Sequence, residues 1–268
     1  YTYYETGALK RTELAGGAQG VDYVYNLAGQ LKSINHPSLS ASDDPGGDSN
    51  DLFGMQLDYN KGDYARKTTS NITTPGYGVD QLNGNLKGVR WNNDPFTLAG
   101  KQSTYAFAYD RNNWLTEADY GQVNNGDEPA QDDITNSSVY GSSTTTTLEA
   151  GNSVTLQNGF HAQSGSTFTA KITGNFNEVG NGDYDVTNIT YDANGNIQTL
   201  KRNKDASGGN AMDDLAYTYK TDPQDGPNQL LRVDDAAGDV AGADDIADQS
   251  GNNYVYNKIG QLVENVQE

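Results

Sequence analysis

Cysteine is absent from the 268 residues. No disulfide can brace the fold, and no thiol nucleophile or thiolate metal site is available. Histidine occurs only twice, at His36 and His161. Neither has a suggestive Ser/His/Asp spacing around it, so both read as structural residues, since catalysis needs several groups in mutual geometry. Basic residues are scarce, with 17 Lys and Arg against 36 Asp and Glu, a formal net charge of −19. That balance argues against nucleic acid and anionic membranes as partners, because both require clustered cations. No apolar run approaches the roughly 20 residues of a membrane span, so no membrane insertion is expected. Hydrophobic residues make up 34% of the chain, with six Phe and two Met, which leaves little for a large aliphatic core. No segment carries a convincing amphipathic-helix pattern. There is no phosphate loop or dinucleotide fingerprint either, because Gly84 and Gly88 flank a strand pattern rather than a helix start.

Tyrosine and glycine are plentiful, with 18 and 31 copies, and much of the tyrosine lies in one repeated phrase. The phrase runs Tyr, one residue, Tyr, an Asn- or Asp-led turn closed by Gly, then Leu or Ile two residues on. Its clearest copies are Tyr23-Val24-Tyr25-Asn26-Leu27-Ala28-Gly29-Gln30-Leu31 and Tyr254-Val255-Tyr256-Asn257-Lys258-Ile259-Gly260-Gln261-Leu262. A third, Ile189 to Ile197, keeps Tyr191, Gly195 and Ile197 with one aromatic replaced. Weaker copies lie at Tyr3 to Leu9 and at Tyr105 to Leu115, where Tyr109 and Trp114 flank a turn in which Asn113 replaces Gly. In a strand, residues i and i+2 share a face. Each phrase therefore predicts a β-hairpin with two same-face aromatics, a type I turn with a left-handed Gly, and one apolar residue opening the return strand. Isolated hairpins are marginal in water, so the units are expected to stack as in repeat architectures, with an interior ladder of Tyr rings. The fold class expected is all-β, with stacked antiparallel hairpins forming a spiralling sheet or shell and a small inserted β-stack module.

The phrase lapses in three places. Residues 40–54, 121–138 and 234–250 read as acidic loops. Residues 139–172 have a different texture, with apolar alternation through Val154/Leu156, Phe160/Ala162 and Phe168/Ala170/Ile172 punctuated by Gly151, Gly159 and Gly165, which predicts a module of short stacked rungs. The organisation expected is hairpins over 1–138, the inserted module over 139–172, and hairpins again over 173–268. The chain opens inside one repeat and stops just after another, so it reads as a segment of a longer protein.

The phrase, together with Phe53-Gly54-Met55-Gln56-Leu57-Asp58-Tyr59, Leu82 to Trp91, Tyr109 to Ala118 and Tyr191 to Ile197, resembles the YD repeat of Rhs-type proteins, in the core region of the Bacteroidota type. The stretch from Ala150 to Ala170 is similar to the coat-hanger stack module of surface proteins in the same bacteria. The resemblance covers most of the chain. It implies a long β-sheet spiralling into a shell or fibre, export by a route such as type IX secretion, and an extracellular or cell-surface location. It also implies three roles: a structural filament or wall, a shell enclosing a C-terminal toxin domain, or an adhesion module that contacts glycans or neighbouring cells. Partners would then be other segments or copies of the same protein, surface glycans, or an enclosed toxin. Asp44-Pro45-Gly46-Gly47 does not sit where the autoproteolysis motif of toxin-bearing members falls, so self-cleavage is not carried over.

No enzyme activity and no cofactor are expected. Among 36 acidic residues any chosen carboxylate pair is uninformative as a hydrolase signal. Trp91 and Trp114 fit strand-ladder positions better than a sugar-stacking surface. The acidic loops are the candidate sites. Asp43, Asp44, Asp48 and Asp51 share one Gly-containing loop, and Asp234, Asp235, Asp239, Asp244, Asp245 and Asp248 share another. Oxygen-rich loops suit Ca²⁺, although neither has an EF-hand spacing, and solvated loops that keep the surface soluble are the alternative.

Overall fold

The turns that close the phrases led by Asn or Asp share one local structure. In the computed structural model, Asn26 Oδ1 accepts from the N–H groups of Ala28 and Gln30, both at 3.0 Å. Asp110 Oδ1 accepts from Asn112 and Trp114, at 2.8 and 3.0 Å. Asp192 does the same for Asn194 and Asn196, and Asn257 for Ile259 and Gln261. The short polar side chain thus satisfies two backbone donors that the tight turn leaves without a ladder partner. The last turn position is left-handed, with φ of 78° at Gly29, 86° at Gly195 and 83° at Gly260. Asn113 takes that position at 64°, as the residue best able to replace glycine there.

The structure describes residues 1–60, 78–93, 101–124, 133–136, 139–140, 142–143, 145–150, 153–158, 160–172, 177–178, 182–204, 211–221, 226, 228–238 and 245–266. The fold is all-β, with no helix among the described residues. The chain forms two units, residues 1–108 with 121–178, and residues 109–120 with 179–268. In the first, β1 (Thr2–Tyr3), β2 (Leu9–Leu14), β3 (Gln19–Tyr25), β4 (Leu31–Ile34), β5 (Gly54–Asp58), β6 (Gly88–Asn92) and β7 (Lys101–Tyr109) pair in chain order, each antiparallel to the last. Strand β8 (Leu115–Asn124) gives its first half to the second unit and its end to the first. The expected acidic loop at 121–138 is therefore partly strand: β8 runs to Asn124, and Asp133–Asn136 is β9.

The insert is built differently. Strands β9, β10 (Val139–Tyr140) and β11 (Thr145–Ala150) lie parallel to β12 (Ser153–Leu156), β13 (His161–Ala162) and β14 (Thr167–Ile172), respectively. Each strand of one coil lies beside its counterpart in the next, which gives stacked rungs rather than hairpins. Phe160 and Phe168 meet edge to face at 4.7 Å between ring centroids. The parallel pairing begins at Asp133, ahead of residue 139. The short β15 (Asn177–Glu178) returns to pair with β8.

In the second unit, β16 (Val186–Tyr191), β17 (Ile197–Asn203), β18 (Ala211–Tyr219) and β19 (Leu230–Asp235) follow β8 in antiparallel order, and β20 (Tyr254–Tyr256) pairs with β21 (Leu262–Asn265). A register shift beside each of Tyr25, Tyr191, Tyr219 and Tyr256 is the bulge that accompanies such turns.

One contact recurs from hairpin to hairpin. The hydroxyl of Tyr59 donates to the carbonyl of Leu31 at 2.9 Å, that of Tyr191 to Leu115 at 2.7 Å, and that of Tyr219 to Ile197 at 2.9 Å. Each of these acceptors is the first residue of the return strand in the preceding hairpin. Tyr256 differs: its oxygen accepts from the Leu230 backbone, a contact that favours the phenolate. Burial pushes the phenols of Tyr191 and Tyr219 above their ordinary pKa, which keeps them protonated as donors. The turns also stack. An added Cβ on Gly195 would lie 3.2 Å from the Trp114 ring, and Asn196 Nδ2 donates to Asn228 Oδ1 at 2.9 Å.

The expected interior of Tyr rings needs correction. In β3 the buried residues are Gly20, Asp22 and Val24, while Tyr23 and Tyr25 are half-buried on the opposite face. Residues from the following loop, His36, Asp43 and Pro45, line a small cavity with Val24, Lys32, Ser33 and Gln56, so the loop covers that face. Gln56, Asp58, Arg90, Asn92, Gln102 and Thr104 are also buried. A chain poor in aliphatic residues fills much of its interior with polar side chains, which burial permits only where they are hydrogen-bonded or paired.

Replacing Tyr219 with Phe should lower stability by about 1–2 kcal/mol, because the Ile197 carbonyl loses its donor. Tyr1→Phe, at a residue 83% exposed, should be neutral. Urea unfolding midpoints measure both, and an unchanged Tyr219→Phe midpoint would show that the bond contributes nothing.

Candidate functional site

The acidic loop after β4 folds back onto an ion pair between two earlier strands. Arg11 on β2 and Asp22 on β3 are directly opposed in the ladder. Arg11 Nη1 contacts Asp22 Oδ2 at 2.5 Å, and Nη2 contacts Asp48 Oδ2 of the loop at 2.7 Å. The guanidinium lies close against two glycines: a Cβ on Gly20 would overlap Arg11, and one on Gly46 would overlap both Arg11 and Asp22. Within the loop, Asp44 Oδ2 accepts from the N–H groups of Gly46 and Asp48, at 2.7 and 3.0 Å. Carboxylate oxygens of Asp22, Asp44 and Asp48 all lie within 4.8 Å of one another.

Asp51 closes the group. It is 6% exposed, and neither of its oxygens has a hydrogen-bond donor among the described residues. Burial first, and then the carboxylates of Asp44, Asp48 and Asp22, push its pKa up to about 7. Burial also raises the pKa of Asp22, opposed by Arg11 and reinforced by Asp44 and Asp48.

Of the four loop residues singled out in the sequence, three come together and one does not. Asp43 turns away and accepts from Ser38 Oγ at 2.8 Å. His36 Nδ1 lies 2.7 Å from the same hydroxyl. The serine sits between the histidine and the aspartate, whereas a nucleophile-activating triad places the histidine in the middle, so this set reads as a turn brace. Asp22 was missed because it sits inside a strand, with no local sign that a later loop returns to it.

The second unit repeats the construction. Arg202 on β17 opposes Asp213 on β18, with Nε to Oδ2 at 2.5 Å. In both units the arginine and its aspartate are 11 residues apart in sequence, a spacing that could have drawn notice. Asp213, Asp235 and Asp245 place oxygens within 4.8 Å of one another. Asp235 Oδ1 accepts from Asp214 and Ala237, and the Asp235 N–H donates to Asp248 Oδ1. Asp234 pairs instead with Arg232 at 2.9 Å. Asp239 and Asp244 lie outside the described residues.

A third charged group is wholly interior. Asp58 is fully buried and contacts Lys32 Nζ at 2.9 Å, Gln56 Nε2 at 2.7 Å and Arg90 Nε at 4.0 Å. Burial works to raise its pKa, but Arg90, Lys32 and Gln56 outweigh it and the net direction is down. Three adjacent strands are thereby tied by one carboxylate. The tryptophans sit in ladders: Trp91 stacks on Tyr105 at 5.7 Å, and Trp114 leans on Tyr191 at 5.1 Å. His161 is exposed on β13.

No family model matches the chain, and no curated protein matches it.

Two outcomes follow from the charges. Asp58→Asn should cost about 3–5 kcal/mol, because Lys32 and Arg90 would lose their buried counter-ion, as read by denaturant unfolding at pH 7. The native pKa of Asp58 is depressed, so its stabilisation is present above the unfolded value near 4 and is lost as pH falls below it. Asp51 acts in the opposite sense. Its raised native pKa makes the folded state hold the proton more tightly, so stability declines as pH rises from about 4 through about 7. In chelator-treated protein, Asp51→Asn should raise the melting temperature at pH 8 by several degrees, corresponding to ~1–3 kcal/mol, and leave it nearly unchanged at pH 4.

Proposed function

We propose that the chain is a structural segment of a secreted or cell-surface protein of the Rhs/YD-repeat type, forming part of a β-shell or fibre wall. The observation that carries this reading is the tyrosine hydroxyl bond from three of the hairpins to the start of the preceding return strand. It joins neighbouring units through backbone carbonyls, which every sequence supplies, so the contact can be repeated along a wall of any length. The matching turns support the same reading, since a building unit recurs where an active site would be expected once. The polar interior and the acidic surface suit an exported protein in this proposal, and the coat-hanger-like rungs serve as a decoration or docking element. No catalytic role is assigned.

A second reading, a surface glycan adhesin, draws on one feature of the second unit. The turn at Asp110–Trp114 and the end of β16 with the turn after it border an open groove lined by Trp114, Tyr191, Asp110 and Asp192, a combination that suits sugar stacking.

Electron microscopy of the full-length protein tests the leading reading. Closed cages or filaments are expected, with a cage containing a further domain pointing to toxin enclosure. A compact monomer with a deep catalytic cleft would sink the wall reading. A glycan array tests the second, and binding that survives Trp114→Ala would count against the groove.

A further inference from the structure

We infer that the loop spanning residues 40–51 binds a calcium ion among Asp22, Asp44 and Asp48, with the buried Asp51 adding its carboxylate beside Asp44 and Arg11 holding Asp22 and Asp48 in place. The site is independent of the wall reading.

Geometry is the first support. A Ca²⁺–oxygen bond is about 2.4 Å, so one ion can touch two oxygens up to about 4.8 Å apart. The oxygens of Asp22, Asp44 and Asp48 meet that limit pairwise. Arg11 engages one oxygen each of Asp22 and Asp48, both Oδ2, which leaves Oδ1 of each for a ligand. The guanidinium packs against Gly20 and Gly46 and bridges Asp22 and Asp48, so the carboxylates are oriented beforehand.

The second support is Asp51. A carboxylate 94% buried and without a donor among the described residues is several kcal/mol less favourable ionised than in water unless a cation or proton meets it. Its carboxyl faces that of Asp44 at hydrogen-bonding range. Two carboxyl groups so placed hold either a shared proton or a metal ion. The groups facing Asp51 are Asp44 and Asp48 of its own loop, Asp22 of β3, and beyond them Arg11 of β2. Four carboxylates against one guanidinium leave a net deficit of positive charge that a divalent ion offsets.

The chemistry of the donors selects the ion. With oxygen ligands only, a hard cation is favoured over zinc or copper. Carboxylates drawn from a loop and a strand in an irregular arrangement suit Ca²⁺, with its variable coordination, better than Mg²⁺, which demands a near-ideal octahedron and keeps its waters.

Isothermal titration of chelator-treated protein with CaCl₂ at pH 8 and pH 5.5, paired with melting curves, tests the inference. Calcium should bind and raise the melting temperature at pH 8. Affinity should fall roughly tenfold or more at pH 5.5, where the ion must displace a proton. Asp51→Asn should weaken binding at pH 8 by at least about tenfold, while Asp245→Asn, in the other cluster, should leave that binding step unchanged. Absence of binding heat and of a melting shift at about 10 mM calcium, far above the usual range for such loops, would overturn the site and leave the shared proton as the occupant. Equal affinity in Asp51→Asn would overturn it as well. The wild-type titration decides the matter even if the variant does not fold.

Discussion

A phenol hydroxyl donated to a neighbouring hairpin is the contact on which the rest of this structure depends. A single two-stranded hairpin in water has too little buried surface to persist. Here Tyr59, Tyr191 and Tyr219 each cover the adjacent strand with a ring and bond to its first carbonyl. The ring supplies apolar contact and the hydroxyl supplies direction, so neighbouring hairpins are held in one register. Phenylalanine could fill the space but would leave the carbonyl without that donor, so tyrosine is favoured at these three positions.

The second constraint is the scarcity of aliphatic residues. With few of them to bury, the first unit places Gln56, Asp58, Arg90 and Asn92 in its interior. Such a core is held by pairing rather than by transfer of apolar surface. It is correspondingly intolerant of losing one partner and sensitive to pH. The same economy appears at the two carboxylate clusters, where an Arg–Asp cross-strand pair anchors an acidic loop against the sheet. These loops thus cover the structure as well as carry charge.

Much of the fold was legible because its determinants are local. An Asn or Asp followed three residues on by Gly specifies a turn through bonds spanning four residues, as at Asn26–Gly29 and Asp192–Gly195. The rungs of the insert announced themselves through glycine punctuation, although their parallel pairing did not. The candidate site was half legible. Asp44, Asp48 and Asp51 stood out as neighbours in one loop, but Asp43 leaves the group because Ser38 offers it a nearer donor. Asp22 and Arg11 joined it through a return of the loop that no local pattern encodes.

The sequence by itself determined the turns, the all-β class and the spacing at which tyrosines recur, because each depends on backbone preferences within a few residues. Only the tertiary structure decided which face of each strand is buried, which carbonyl each hydroxyl meets, and which carboxylates converge. In β3 the face opposite Tyr23 and Tyr25 is the covered one, since a loop from well beyond the strand lies over Asp22 and Val24. Alternation in a strand defines two faces but does not say which of them the rest of the chain will cover.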